Sequence, residues 1–226
     1  MSELWKQSAV DVVGLLRSGE ISPVEAVQAA IERIEAVDSK TNALPIRCFD
    51  RAIERAQTLD LTGHRQNPKS LCGLPIAVKD YNDVAGVRTT YGSPIFKDHI
   101  AERSDVTVAV LEHNGANPIA KSNVPEWAGG HTFNPVSGLT CNPWNLSRSA
   151  GGSSGGSAAA LASGQVWLAT GNDLGGSLRT PAAFNAVVGL RPSPGVVPRG
   201  HGYQAFDTLW VEGPMGRSVG DVALML

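Results

Sequence analysis

Cysteine is scarce in this 226-residue chain: Cys48, Cys72 and Cys141 are the only three, far apart and odd in number. No CxxC or Cys/His ligand spacing accompanies them, which argues against a zinc site and against a disulfide framework. A reducing, cytoplasmic setting is the expectation, and none of the three is assigned a role. An excess of charge of one sign is also missing. Nineteen Lys and Arg face 21 Asp and Glu, for a formal net charge of −2. Such a balance gives no electrostatic reason to expect nucleic acid or an anionic membrane as a direct partner. Long apolar runs are lacking as well, since none approaches the roughly 20 residues of a membrane span. The N-terminal "MSELWKQSAVDVVGLLRSGE" mixes acids into an amphipathic pattern, unlike a signal peptide. No internal repeat is visible.

What is present is an ordinary globular composition, 42% hydrophobic and 18% charged. The first third reads as helical. Ser22-Pro23-Val24-Glu25 is a capping box with proline at the first helical position, and in the helix it opens Val27, Ala30, Ile31 and Ile34 share a face. Asp50 is expected to cap a further helix ending near Gly63, and residues 64–73 read as loop. The pattern then changes to short apolar runs, 74–80, 117–123 and 166–173, which read as strands. A helix capped by Ser104 and stopped at Gly115 lies between the first two. Strands alternating with helices predict an α/β fold, with a largely parallel central sheet flanked by helices. We divide the chain into a helical N-terminal region, 1–65, and an α/β core, 66–226, of one domain. The final "GRSVGDVALML" begins a capped apolar helix that stops at Leu226. A chain lacking its C-terminal half is preferred to a helix completed by a partner.

The stretch "AGGSSGGSAAALASG", 150–164, resembles a flexible linker, yet strong helix formers and an apolar strand follow it without a break. A glycine-rich turn opening a helix exposes backbone N–H groups at a positive dipole end. A phosphate-binding loop would need a lysine after the glycines, and none is there. Gly-x-Ser-x-Gly is matched around both Ser153 and Ser154, but the preceding "NPWNLSRS" does not read as the strand that a nucleophile elbow requires. A Ser-His-Asp triad would have to draw on Asp173 or Asp207 with His201, the only histidine downstream. Lysine as the base is the third reading. Lys79 closes the apolar strand "LPIAVKD", where a charge needs either work or a partner such as Asp80 or Asp83. Combined with the downstream serine segments, the first of these is preferred.

Through "GLPIAVKDYNDVAGVRTTYGS", "GANPIAKSNVPEWA", "NPWNLSRSAGGSSGGSAAALASG" and "TGNDLGGSLRTPAAFNAVVGLRPS", the chain resembles the amidase signature family over nearly its whole length. That resemblance implies a Ser–cisSer–Lys triad: Lys79 as the lysine, Ser153 as the bridging serine after a cis Gly152–Ser153 peptide, and Ser177 as the nucleophile. It further implies an oxyanion hole from the N–H groups of Leu174, Gly175, Gly176 and Ser177. Ser154, Asp173 and Arg179 are read as supports, although Asp173 and Arg179 would equally make a local ion pair. Asn172 stands where the family more often has threonine, a departure not expected to touch the triad. Members of the family run to roughly twice this length.

The expected function is hydrolysis of a carboxamide C–N bond of a small molecule through an acyl-enzyme, without metal or organic cofactor. An amidotransferase A-subunit, acting in glutamine-dependent tRNA amidation, is the alternative within the family. A catalytically inert fragment or binding module is the alternative outside it. A homodimer is left open.

Overall fold

The computed structural model describes residues 3–200 and 207–226, so His201 lies outside the described residues. The chain opens with α1 (Ala9–Ser18) and α2 (Pro23–Thr41), each begun by a capping box, Ser8 with Asp11 and Ser22 with Glu25. Ala26, Val27, Ala30, Ile31 and Ile34 of α2 are buried, as their spacing predicts. After β1 (Ile46–Arg47) come α3 (Phe49–Thr58) and α4 (Leu61–Gln66). Two local expectations shift here. Cys48, with no side-chain cap bond, holds the N-cap position of α3, and Asp50 lies in its first turn. Residues 64–66, expected as loop, complete α4, which is capped by Asp60 accepting from the Thr62 amide at 3.0 Å.

Next come β2 (Pro75–Lys79), α5 (Val106–His113) and β3 (Asn117–Ser122). Asp105, not Ser104, is the N-cap residue of α5. The Ser104 hydroxyl instead accepts from the Ala85 amide and donates to Glu112. Two hairpins follow, β4 (Phe133–Asn134) with β5 (Gly138–Leu139), and β6 (Cys141–Asn142) with β7 (Asn145–Ser149). The segment before the glycine run is therefore extended after all. It is exposed and, among the described residues, pairs only with β6, outside the central sheet, so its polar sequence carries no apolar alternation to reveal it. The chain then forms α6 (Gly155–Ala162), β8 (Leu168–Asp173), α7 (Arg179–Asn185), β9 (Val188–Gly189), β10 (Val211–Gly216) and α8 (Val219–Met225).

The central sheet is mixed, with strand order β1-β3-β2-β8-β10-β9. Its three middle strands run parallel, and β1, β10 and β9 are added antiparallel at the flanks. Every residue of β2, β3 and β8 is buried, which explains their continuous apolar character and leaves their polar members conspicuous. All but the last residue of α6 are buried as well, against β2, β3, β8 and β10. Glycine, serine and alanine make that approach possible. A Cβ on Gly156 would sit inside the van der Waals envelope of the Asn123 amide nitrogen and 2.6 Å from its carbonyl oxygen. Among the described residues, no helix is long and apolar enough to cross a membrane.

Candidate active site

Each of the parallel strands ends in polar side chains. Lys79 is the last residue of β2, Ser122 that of β3, and Asn172 and Asp173 close β8. The carboxyl ends of parallel strands are where α/β folds leave a crevice. Lys79 is fully buried. Its Nζ lies 2.7 Å from Ser153 Oγ, 2.9 Å from Ser154 Oγ and 2.5 Å from Asn172 Oδ1. Asp80, the adjacent carboxylate, is not its partner. That side chain pairs with the equally buried Lys121 at 3.0 Å and accepts from the Thr90 hydroxyl and amide.

Burial disfavours the Lys79 ammonium and brings its pKa down to about 7, against the opposing pull of the Glu212 and Asp173 charges. Glu212 is the counterpart. It sits on β10 in register with Asn172, is 1% exposed, and accepts from Asn82 Nδ2 at 3.4 Å and Trp210 Nε1 at 3.2 Å. Burial raises its carboxyl, and the Lys79 charge works in the other direction. Glu212 was not singled out from sequence, although it is an acid inside a strand, the same signal that marks Lys79.

The glycine run supplies the second edge. The Gly152–Ser153 peptide is cis, as the resemblance implied. A Cβ on Gly152 would collide with the Gly130 carbonyl oxygen, so the backbone itself fills the space a side chain would take. Ser153 and Ser154 are both fully buried. Asn172, expected to stand apart, is in direct contact with Lys79, and its buried Nδ2 has no hydrogen-bond partner among the described residues.

The third edge is the loop 174–178. Asp173 knots it, accepting from the Gly176 amide at 2.8 Å and the Leu178 amide at 3.2 Å. It also pairs with Arg179 and with Arg191, each at 3.0 Å. Burial alone would raise the Asp173 carboxyl. The Arg179 hydrogen bond and the two amides outweigh that and hold it at about 2. Arg191, in "LRPSPG", carried no expected part. The Gly176 amide is thus committed to Asp173 and is not free for an oxyanion. Among the described residues, the amides of Leu174, Gly175 and Ser177 have no protein acceptor. Gly176 adopts φ +119°, which calls for glycine, whereas a Cβ on Gly175 would meet open space.

Ser177 is partly exposed, and its carbonyl accepts from the Ser154 amide at 3.2 Å. Its hydroxyl makes no hydrogen bond to Ser153 Oγ among the described residues. Both serines line one cleft of about 480 Å³, together with Asn172, His131, Trp127 and Trp210.

The site thus joins a buried lysine in contact with two serines to backbone amides that, among the described residues, have no protein acceptor, at the end of an α/β sheet. A family model described as Amidase matches residues 25–226. The chain is 41% identical to the A-subunit of the glutamyl-tRNA(Gln) amidotransferase of Carboxydothermus hydrogenoformans, over 99% of its own length and 47% of that protein. It is 38% identical to indoleacetamide hydrolase of Bradyrhizobium diazoefficiens, again over 99% of its length and 44% of the relative. Among solved structures, a bacterial aryl acylamidase of the amidase signature family superposes with a TM-score of 0.89 at 36% identity, covering 97% of this chain and 46% of that one. The chain belongs to the amidase signature family. It spans about half the length of the curated relatives it matches.

Proposed function

We propose that this chain carries the acylating site of an amidase that hydrolyses a carboxamide C–N bond of a small molecule. The observation that carries the reading is the fully buried Lys79 Nζ, 2.7 Å from Ser153 Oγ. Neutral lysine has two N–H bonds and one lone pair. Asn172 Oδ1 can only accept, so it takes one hydrogen. Ser154 directs its own hydroxyl toward the Asn172 carbonyl, at 3.5 Å, and so accepts the second. The lone pair is left facing Ser153.

Lys79 then acts as the base for Ser153, and Ser153 passes the demand to Ser177 once the partly exposed Ser177 hydroxyl turns into reach. Ser177 Oγ attacks the amide carbonyl. The amides of Leu174, Gly175 and Ser177 receive the developing oxyanion in a loop that Asp173 holds still. The proton returns through Ser153 to the leaving nitrogen, the C–N bond breaks, and water hydrolyses the acyl-enzyme. No step calls for a metal or an organic cofactor. All three cysteines are free thiols, which supports a cytoplasmic setting.

The test is active-site labelling. A fluorophosphonate should label the chain, Ser177→Ala should not be labelled, and Ser154→Ala should retain much of the labelling. Equal labelling of wild type and Ser177→Ala sinks the assignment, and an unlabelled wild type supports the inert reading. The resemblance to the amidotransferase A-subunit supports a second reading, glutamine-dependent amidation within a complex. Ammonia release from glutamine, in preference to simple amides, would favour it.

A further inference from the structure

His131 lines the cleft but plays no part in the hydrolytic steps. It is exposed, and among the described lining residues it alone has a titratable side chain. Its backbone is clamped to the glycine turn. Thr132 donates its amide and its hydroxyl to the Gly151 carbonyl, at 3.0 and 2.9 Å, and a Cβ on Gly152 would sit 2.9 Å from the His131 Cα. The ring is fixed as well. Nδ1 lies 3.2 Å from Ser149 Oγ, and the imidazole packs on Phe184 of α7 with centroids 6.4 Å apart. Ser149 Oγ already accepts from the Gly151 amide at 3.0 Å. Among the described residues, Nδ1 is the one acceptor left for the Ser149 hydroxyl hydrogen. That pattern assigns an accepting Nδ1 and a proton on Nε2, and Nε2 has no protein acceptor among the described residues. Thr180 stands one turn before Phe184 on α7 and lines the same cleft. Its hydroxyl, too, has no protein partner among the described residues. Thr180 Oγ1 would be 2.9 Å from a Cβ on Gly176, so it lies against the loop that carries Ser177.

We propose that His131 Nε2–H and the Thr180 hydroxyl form a second hydrogen-bonding subsite, which takes an acceptor oxygen placed a few bonds from the scissile amide of the substrate. The proposal rests on the hydrolytic reading of the same site. A small number of fixed polar groups in a ligand cleft decide which way the ligand lies. A site built to hydrogen-bond an oxygen rejects the isostere that lacks it, because the donors are then taken from water and left unpaired. Both groups are neutral donors, so an ether or carbonyl oxygen satisfies them without a counter-ion. The oxygen belongs on a short arm, because α7 begins directly after the Ser177 loop and the glycine turn that holds His131 leads into Ser153.

Calorimetric titration of the 226-residue chain with matched amides tests this. Methoxyacetamide against butanamide, and 3-methoxypropanamide against pentanamide, each exchange one methylene for one oxygen at equal length. In at least one pair the methoxy amide should bind about three- to tenfold more tightly, the range for a hydrogen bond between neutral groups. His131→Ala and Thr180→Val should each reduce that ratio, and the double variant should abolish it. His131→Gln keeps an N–H donor on a side chain of similar reach and should retain part of it, which separates loss of the donor from loss of fold. Circular dichroism of all four variants should stay native. Equal binding within both pairs, an oxygen preference that survives the double variant, or binding of none of the four amides overturns the proposal. An oxygen preference without turnover or fluorophosphonate labelling upholds the subsite and rejects the hydrolytic reading. Turnover with no oxygen preference does the reverse.

Discussion

At the scale of single residues, the two buried groups Lys79 and Glu212 govern how the site responds to pH. The Glu212 anion favours the ammonium form of Lys79, and burial opposes it. Only the neutral amine can take a proton, so kcat/KM should fall on the acid side as Lys79 becomes protonated. In Glu212→Gln the ammonium loses that support, with Asp173 left as the remaining acid acting on it. The acid limb of kcat/KM should therefore move to lower pH, and Glu212→Asp should move it part of the way back. An unmoved limb would separate Glu212 from the base. Lys79→Arg supplies the complementary test. A guanidinium keeps the charge but cannot accept a proton in this range. Turnover should drop by roughly 10²–10⁴-fold while circular dichroism stays native. Both residues were open to the same inference from sequence, a charge inside a buried strand. Lys79 stands out because it closes the apolar "LPIAV" and the serine segments follow downstream. Glu212 sits in "VEGPMG", where glycine and proline dilute the apolar run and hide the strand.

At the scale of elements, the loop after β8 depends on one carboxylate. Asp173 accepts from two amides and two arginines, and an asparagine would offer one oxygen and turn an NH2 group toward those donors. Asp173→Asn should lower kcat more than it changes KM. It should also cost about 2–3 kcal/mol by urea titration, the range for hydrogen bonds to a charged group when one partner, Arg179, is largely exposed. Because the folded pKa is lowered to about 2, the stabilisation from Asp173 is complete above the ordinary carboxylate value and is lost as pH falls through about 2. The glycines divide in the same way. Gly156→Ala would press a methyl group into the Asn123 backbone and should cost about 1–3 kcal/mol. Gly175→Ala has open space and should change stability by less than about 0.5 kcal/mol. The glycine run was legible in the sequence as a turn opening a helix. Glycines that are packed against were not distinguishable there from glycines that face the cleft, because that difference lies in distant partners such as Gly130 and Asn123.

At the scale of the whole molecule, the first helix α1 and the last described helix α8 are joined, and no periodicity announces it. Ser218 and Asp221 form a capping box that starts α8, which a local reading anticipates. The same Asp221 reaches across to α1, where its Oδ1 accepts from the Ala9 amide at 2.7 Å and the Val10 amide at 3.3 Å. Arg217 adds donors to the carbonyls of Trp5, at 2.6 Å, and Gln7. One buried carboxylate thus satisfies open amides at two helix starts, and the N-terminal helices are tied to the antiparallel flank of the sheet behind Glu212. Long-range pairings of this kind are invisible to capping rules, which look only three residues ahead. Asp221→Ala removes both sets of bonds and leaves the Ala9 amide buried without an acceptor. A lost N-cap costs about 0.5–2 kcal/mol, and an unsatisfied buried amide about 1–3 more. The expected loss is about 2–4 kcal/mol in urea unfolding. Asp221→Asn keeps an oxygen for the amides and should recover about half. Because the bonds join α1 to α8 and lie away from the serines, fluorophosphonate labelling of the folded variant should proceed at the wild-type rate. A variant as stable as wild type would mean that α1 and α8 are held together by packing alone.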